Sequence, residues 1–354
     1  MSGPALRVLR AGPAMSVQDR GRAGTLALGL AAGGAADPLA LTEAAVLLGH
    51  ALSSAALEMA AQGGRFEATG DLRIALTGAP MRAAIDGNPV VWNASHPLRG
   101  GQILDLGAAT SGIYGYLSVG GGLETAAYLG SRSVHPAAGI GRLIAAGDLL
   151  PCGADTGGPT GRGLAADDRF SGGTIRVVAG PQTALFDKET LDRFAATTFT
   201  RDPRGNRQGA RLGHDGLPFA AAGQLALLSE PILPGDIQMT GDGAPFVLGP
   251  DCQTTGGYPR IGTVVPDDLP RALQARPGAL IRFVFVERRT ALQDFIARRR
   301  AEERLAADTY PLVRDPADIP DLLTRQLIGG VTTGEDALHD AIGAPRNDRG
   351  NTSR

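Results

Sequence analysis

The chain has 354 residues, a formal net charge of −2 and 43% apolar residues. That length favours two domains with sizeable cores, and so small a charge removes the electrostatic case for a nucleic-acid or anionic-membrane partner. Glycine and proline number 51 and 24 and are spread throughout; together they exceed the ~12% of average usage and punctuate many short strands, which predicts a mainly β, β-rich α+β fold.

Residues 5 to 10 (ALRVLR) read as a first strand, followed by the polar, glycine-rich SVQDRGRAG. Asp37 and Pro38 then give a helix start, with Asp as N-cap and Pro at the first helical position, and Gly49 closes PLALTEAAVLL. The strand candidates to about residue 151 are ALEMA, RFEAT, LRIALTG, PVVW, QILDL and YGYLSVG, separated by GG, DGN and RGG turns. The most apolar stretch, 38 to 62, is interrupted by Glu43, His50 and Glu58 and is no membrane span.

The expected domains are 1–152, a linker at 153–173 that is polar and glycine-rich, a second β-rich domain at 174–286, and a helical tail at 287–354. FDKETLDRFAA and ALQDFIARRRAEERL read as helices. A further short helix is expected around Asp318-Ile319-Pro320, and the last ten residues are expected to be disordered. Each β block carries a strand, a glycine-rich polar segment, an apolar stretch and a closing strand, which is consistent with duplication.

Several chemistries are excluded. Lys188, in FDKET, is the only lysine and follows no glycine loop, so neither a Walker-type phosphate loop nor a biotin-attachment site is present. Cys152 and Cys252 form no CxxC pair, which fits a reducing cytoplasm, and the start of the chain lacks the apolar core of a signal peptide. The histidines 50, 96, 135, 214 and 339 form no short-range metal pair, so no metal site is expected.

Three polar, glycine-bearing segments remain. SVQDRGRAG offers Gln18, Asp19, Arg20 and Arg22, either as a site or as a turn in which Asp19 pairs with an arginine. PRGNRQGARLG offers Asn206, Arg207 and Arg211. DCQTTGGYPRIGTV places the donors and acceptors of Gln253, Thr254 and Thr255 beside the open backbone of Gly256 and Gly257, with Tyr258 able to cap a flat ligand. Such groups suit a planar amide, urea or carboxylate; a β-bulge whose threonines satisfy backbone groups is the competing reading.

Taken in order, SVQDRGRAG, GLAAGGAADPLA, YLSVGGGLETAAYLGSRS, GRLIAAGDLLP, IRVVAGPQ, NRQGARL, LSEPILPGDIQ and DCQTTGGYPRIGTV resemble the bacterial biotin-dependent-carboxyltransferase-like family, also called allophanate hydrolase subunit 2, which includes the C subunit of 5-oxoprolinase. The resemblance runs from about residue 6 to 286. It implies two cyclophilin-like β-barrel domains, plus the tail, in a subunit that partners a second small subunit and a larger lactam-utilisation-type subunit to open 5-oxo-L-proline with ATP. ATP would be the cofactor, its site shared with or carried by a partner, and any biotin would sit on another chain. The alternatives implied are carboxyl transfer from carboxybiotin to urea or a related amide, and a non-catalytic partner-binding role.

In the leading reading Gln253 and Thr254 bind carbonyl or amide groups, with Thr255, Gly256, Gly257 and Tyr258 completing the pocket. Asp19 orients a water or holds an arginine; Gln18 and Asn206 add polar contacts, and Arg22 and Arg207 hold a carboxylate or phosphate. Several positions depart from the family's usual pattern: Arg20 follows VQD where an apolar residue is common, GGAAD stands for SGAMD, and NRQG for NRMG. The first is expected to add charge beside the site.

Overall fold

The computed structural model describes residues 3–221 and 227–313. The first half contains β1 (Ala5–Arg10), β2 (Ser16–Gln18), α1 (Pro38–Leu48), β3 (Ala56–Ala60), β4 (Arg65–Ala68), β5 (Leu72–Gly78), β6 (Met81–Ile85), β7 (Asn88–Pro89), β8 (Ala94–Leu98), β9 (Ile103–Ala109), β10 (Tyr114–Val119), β11 (Leu149–Pro151) and β12 (Arg162–Gly163). The second contains β13 (Gly173–Val178), α2 (Lys188–Ala196), β14 (Thr198–Asn206), β15 (Gly209–Gly213), β16 (Glu230–Pro231), β17 (Asp236–Met239), β18 (Pro245–Leu248), β19 (Thr255–Gly256), β20 (Arg260–Val264), α3 (Leu269–Gln274) and β21 (Leu280–Phe285). Helix α4 (Arg288–Arg304) and β22 (Tyr310–Pro311) follow. The expected late helix at 318–320 and the terminal run lie outside the described residues.

The fold is mainly β, as expected. Two sheets, ordered β11-β1-β4-β9-β6-β7 and β2-β3-β10-β5-β8-β12-β22, enclose a core that takes Leu6, Phe66 and Leu104 from one and Leu57, Ile74 and Leu117 from the other. Alternation explains the first sheet: β1 buries Leu6 and Val8 and exposes Arg7 and Leu9. Strand β10 is instead buried on both faces, because α1 packs on its far side. Asp37 caps α1 by accepting from the Ala40 amide (3.3 Å), and Gly49 ends it at φ +65°.

Strands β13-β20-β17-β18-β15-β14-β21 close a seven-stranded barrel, with β13 and β21 its one parallel pair. Phe194 of α2 plugs it, stacked 5.0 Å from Phe283 and edge-on to Phe219. A second core cluster continues from Tyr114 and Tyr116 through Ala35 and Leu41 into this barrel, so the two halves share buried surface.

The expected strand PVVW contributes only Pro89, paired in β7; Val91 is exposed, and the chain turns through Asn93 at φ +56° before β8 begins. Residues 153 to 173 place β12 in the second sheet and bury Leu164, Arg169 and Phe170. Among the described residues no helix is long and apolar enough to cross a membrane, and no group of His, Cys, Asp and Glu could hold a metal ion.

Candidate active site in the cleft between the halves

The segment DCQTTGGYP starts inside and ends outside. Asp251 and Cys252 are buried, Gln253 and Thr255 are exposed, and Tyr258 is half-exposed. The Thr254 carbonyl accepts from the Ile232 amide (3.1 Å), its hydroxyl donates to the Gly29 carbonyl (3.3 Å), and Gly256 pairs with Glu230. A Cβ at Gly256 would lie 2.6 Å from Gln238 Nε2 and 3.0 Å from Ile232, so close packing against these two side chains accounts for this glycine. Bulge-like anchoring and outward-facing polar side chains thus coexist in one loop.

Gln18, Asp19 and Arg22 are all buried. Asp19 Oδ1 accepts from the Gly21 amide (2.8 Å), Ser131 Oγ (2.6 Å) and Ser133 Oγ (2.5 Å), and Oδ2 from the Arg132 amide (2.6 Å). Its hydrogen-bonding capacity goes to the 131–133 turn and its own backbone rather than to an arginine side chain. Gln18 Nε2 donates to Ser16 Oγ and the Val134 carbonyl, leaving Oε1 without a partner. Arg22 donates from Nη2 to the Ser133 carbonyl while Nη1 has no partner; burial lowers its pKa. Arg20 turns away and donates to Thr42 on α1 (2.6 Å), which corrects the expectation that it adds charge beside the site.

Arg207 joins this cluster to the barrel. Nε and Nη2 donate to the two carboxylate oxygens of Asp251 (2.8 and 2.9 Å), Nη1 to Glu58 and Nη2 also to the Gly34 carbonyl (2.6 Å). Glu58 in turn accepts from Tyr116 Oη (2.6 Å) and the Ala36 amide (2.9 Å). The fork expected to take a ligand carboxylate therefore already holds protein carboxylates. Arg22 Nη1 and Asp251 Oδ1 lie 3.2 and 3.7 Å from where a Gly33 Cβ would be, so the first and third motifs meet around that bare residue. Arg211 pairs with Asp242 on the barrel surface instead, and Asn206 Oδ1 accepts from the Gln208 amide (2.7 Å) within its turn.

A cleft of about 560 Å³ opens where the halves meet, within the range of small-molecule sites. Asn206, Arg207 and Asp251 line it, as do Tyr114, Arg201 and Arg276, while Gln253 to Tyr258 do not. Arg201 is buried, its Nε has no partner, and desolvation lowers its pKa. Burial also pushes the Tyr114 hydroxyl upward, so it stays a neutral donor. Another cleft, against α4, has its arginines paired: Arg176 with Asp268 and Asp294, Arg299 with Asp267, Arg169 with Asp167. Sequence reasoning missed Tyr114, Arg201 and Arg276 because they stand on strands and turns outside the glycine-rich motifs. The one available signal for Arg201 was its place in RDPRGN, directly before the motif carrying Arg207.

The family described as carboxyltransferase domain, subdomain A and B, matches residues 28–285. The chain is 34% identical over 305 residues to the 5-oxoprolinase C subunit of Escherichia coli (strain K12), covering 85% of this chain and 97% of that protein. It is 26% identical over 324 residues to the urea amidolyase of Lachancea kluyveri, covering 82% of this chain but only 17% of that protein. The crystal structure of the Kluyveromyces lactis urea carboxylase superposes with a TM-score of 0.76 at 24% identity, over 88% of this chain and 31% of that chain, which speaks for a shared fold.

Proposed function

The chain belongs to the carboxyltransferase domain (subdomain A and B) family, and from that membership we propose that it is a subunit of an ATP-dependent 5-oxoprolinase that hydrolyses 5-oxo-L-proline to L-glutamate. The reading is carried by likeness to a 5-oxoprolinase C subunit over nearly that protein's whole length, in a chain with a substrate-sized cleft between its halves. A second small subunit and a larger lactam-utilisation-type subunit complete the complex, in the cytoplasm.

In this chain the cleft holds the lactam. Its apolar walls accept the flat ring, and the Tyr114 hydroxyl faces it as a neutral hydrogen-bond donor. Arg207, fixed by Asp251 and Glu58, keeps the wall rigid rather than gripping substrate. Gln253 is exposed and Thr254, Gly256 and Gly257 are half-buried, all outside the cleft, so their part in binding or in stabilising developing charge is played where another chain closes the pocket.

The cleft is not built like a nucleotide-binding loop. No lysine and no α-helix N-terminus lines it, and Lys188 lies exposed on α2, paired with Asp192 (2.5 Å). This supports a nucleotide site shared with or carried by a partner chain, where ATP would supply the activation that an unstrained amide needs.

The test is ATP-dependent glutamate release from 5-oxoproline by the reconstituted complex, with this chain present, omitted, or carrying Gln253→Ala. Release that needs the chain supports the reading, and unchanged turnover by Gln253→Ala removes the loop from the chemistry. The likeness to urea amidolyase favours one competing reading, carboxyl transfer to a urea-like acceptor from biotin on another chain. Carboxylation of urea by a biotin-bearing partner, without glutamate release, would establish that reading instead. Full activity with the cleft side chains removed and partner binding intact would leave a non-catalytic role.

A further inference from the structure

We infer that Arg201 is the anion-recognising residue of the cleft between the halves, and that the cleft selects a small molecule bearing one carboxylate on a flat, weakly polar body.

The argument begins with a contrast among buried arginines. Arg169 meets Asp37 and Glu43, and Arg207 meets Glu58 and Asp251. Arg201 is as buried as Arg169, at 4% against 5% exposed, yet among the described residues no carboxylate lies within 4.0 Å of it. Its Nη1 bonds only to the carbonyls of Asp202 and Arg211, and Nε bonds to nothing. A buried cation without a counter-charge is costly unless something supplies one.

The neighbouring backbone makes room for this arrangement. A Cβ at Gly205 would fall 2.2 Å from Arg201 Nη2, so the guanidinium lies against glycine and borders the same cleft. Arg276 stands at the mouth, bonded to the Thr110 carbonyl (3.1 Å) and likewise without a carboxylate among the described residues. Charge bookkeeping sets the valence of the ligand. Arg207 with Asp251 and Glu58 sums to −1, and Arg201 with Arg276 adds +2, leaving a single net positive charge. One carboxylate neutralises it, whereas a doubly charged phosphate ester would over-fill it. Tyr114, Ile113, Pro203 and Pro277 supply the weakly polar walls.

This inference rests on the cleft being the substrate site, but not on ATP-coupled chemistry. The full chain is titrated calorimetrically with 5-oxo-L-proline, its neutral carboxamide and inorganic phosphate; the reconstituted complex is then assayed for glutamate release. The acid should bind about ten- to hundredfold tighter than the carboxamide, as expected for hydrogen bonds to a charged group, and tighter than phosphate. Arg201→Gln should erase that preference and raise KM by about tenfold or more with kcat little changed, while Arg201→Lys restores part of it. Gly205→Ala, which displaces the guanidinium without touching its charge, should mimic the loss and serves if Arg201→Gln fails to fold. Acid preference surviving in a folded Arg201→Gln or Gly205→Ala variant overturns the inference, as does a wild-type chain that binds acid and carboxamide alike. Loss of preference in the variant, with no glutamate formed by the wild-type complex, leaves the inference standing and removes the oxoprolinase reading. Glutamate formed by the Arg201→Gln complex at wild-type KM does the reverse.

Discussion

Arg207 of the barrel half makes a bidentate ion pair with Asp251 and a third charge-assisted bond to Glu58 on β3 of the other half. This one side chain ties the wall of the cleft to the buried face of the second sheet. Removing it strands two buried carboxylates, and the penalty for such uncompensated charge is about 3–5 kcal/mol. Arg207→Met should therefore lower the urea midpoint sharply. Arg207→Lys should recover only part, because an ammonium cannot reproduce the two-point contact with Asp251. A midpoint like wild type for Arg207→Met would show that the bridge contributes little to holding the halves together.

Glu43 carries a pH dependence whose sign follows from its surroundings. Burial, opposed by the Arg169 guanidinium, pushes its carboxyl up to about 7, since Asp37 and Asp167 compete for the same arginine. The folded chain then keeps a proton on Glu43 between roughly pH 4.5 and 7 that the unfolded chain has released. Stability from this group is complete below that window, falls as pH rises through it, and levels off above about 7. Glu43→Gln stays neutral and keeps an acceptor for Arg169. Its stability relative to wild type should climb from pH 5 to pH 7.5 by up to about 3 kcal/mol, read from thermal melts across that range. A difference that stays flat with pH would mean that Glu43 is ionised throughout.

Cys152 and Cys252 are free and buried, and desolvation pushes both thiols up to about 12. The thiolate is the reactive form. The native chain should thus consume almost no Ellman reagent at pH 8, and two equivalents once unfolded in guanidinium. Rapid native labelling of either cysteine would contradict its burial.

Much of the fold was legible because local signals agreed with the tertiary structure. Asp37, Pro38 and Gly49 bracket α1, and ALEMA and LRIALTG are strands over their full expected lengths. Strand β8 was hidden by Pro97 and a near-continuous buried pattern, and β6 by its short, alanine-rich MRAAI. The site was legible only in its framework. Gln18, Asp19, Arg22 and Arg207 are brought to one side of the fold, but Asp19 spends its hydrogen bonds on Ser131, Ser133 and backbone amides, and Arg207 on Asp251, Glu58 and the Gly34 carbonyl. What decides between framework and ligand contact is the count of donors and acceptors already taken. Pairing across more than a hundred residues, such as Asp19 with Ser131 and Ser133, is invisible in the linear pattern.

The glycine run of YLSVGGGLE has a steric explanation that can be tested. Gly121 sits at φ +80°, and a Cβ there would lie 2.5 Å from the Gly153 carbonyl oxygen; a Cβ on Gly153 would meet the Gly121 carbonyl oxygen at 2.4 Å. Two backbones cross here, joined by the Gly153 amide donating to the Gly122 carbonyl (2.8 Å). Gly121→Ala incurs about 1–2 kcal/mol for the left-handed conformation and a further loss as the crossing is forced apart, placing it in the severe tail above about 4 kcal/mol. Gly121→Asn tolerates the dihedral better but not the crossing, so it should not rescue. Gly130 provides the control: its φ is +76°, yet a Cβ there meets nothing within 4 Å. Gly130→Ala should cost only the conformational part, about 1–2 kcal/mol, and Gly130→Asn less still. Equal destabilisation by alanine at both positions, measured by urea unfolding, would mean that dihedral strain alone governs the run and that the close crossing does not matter.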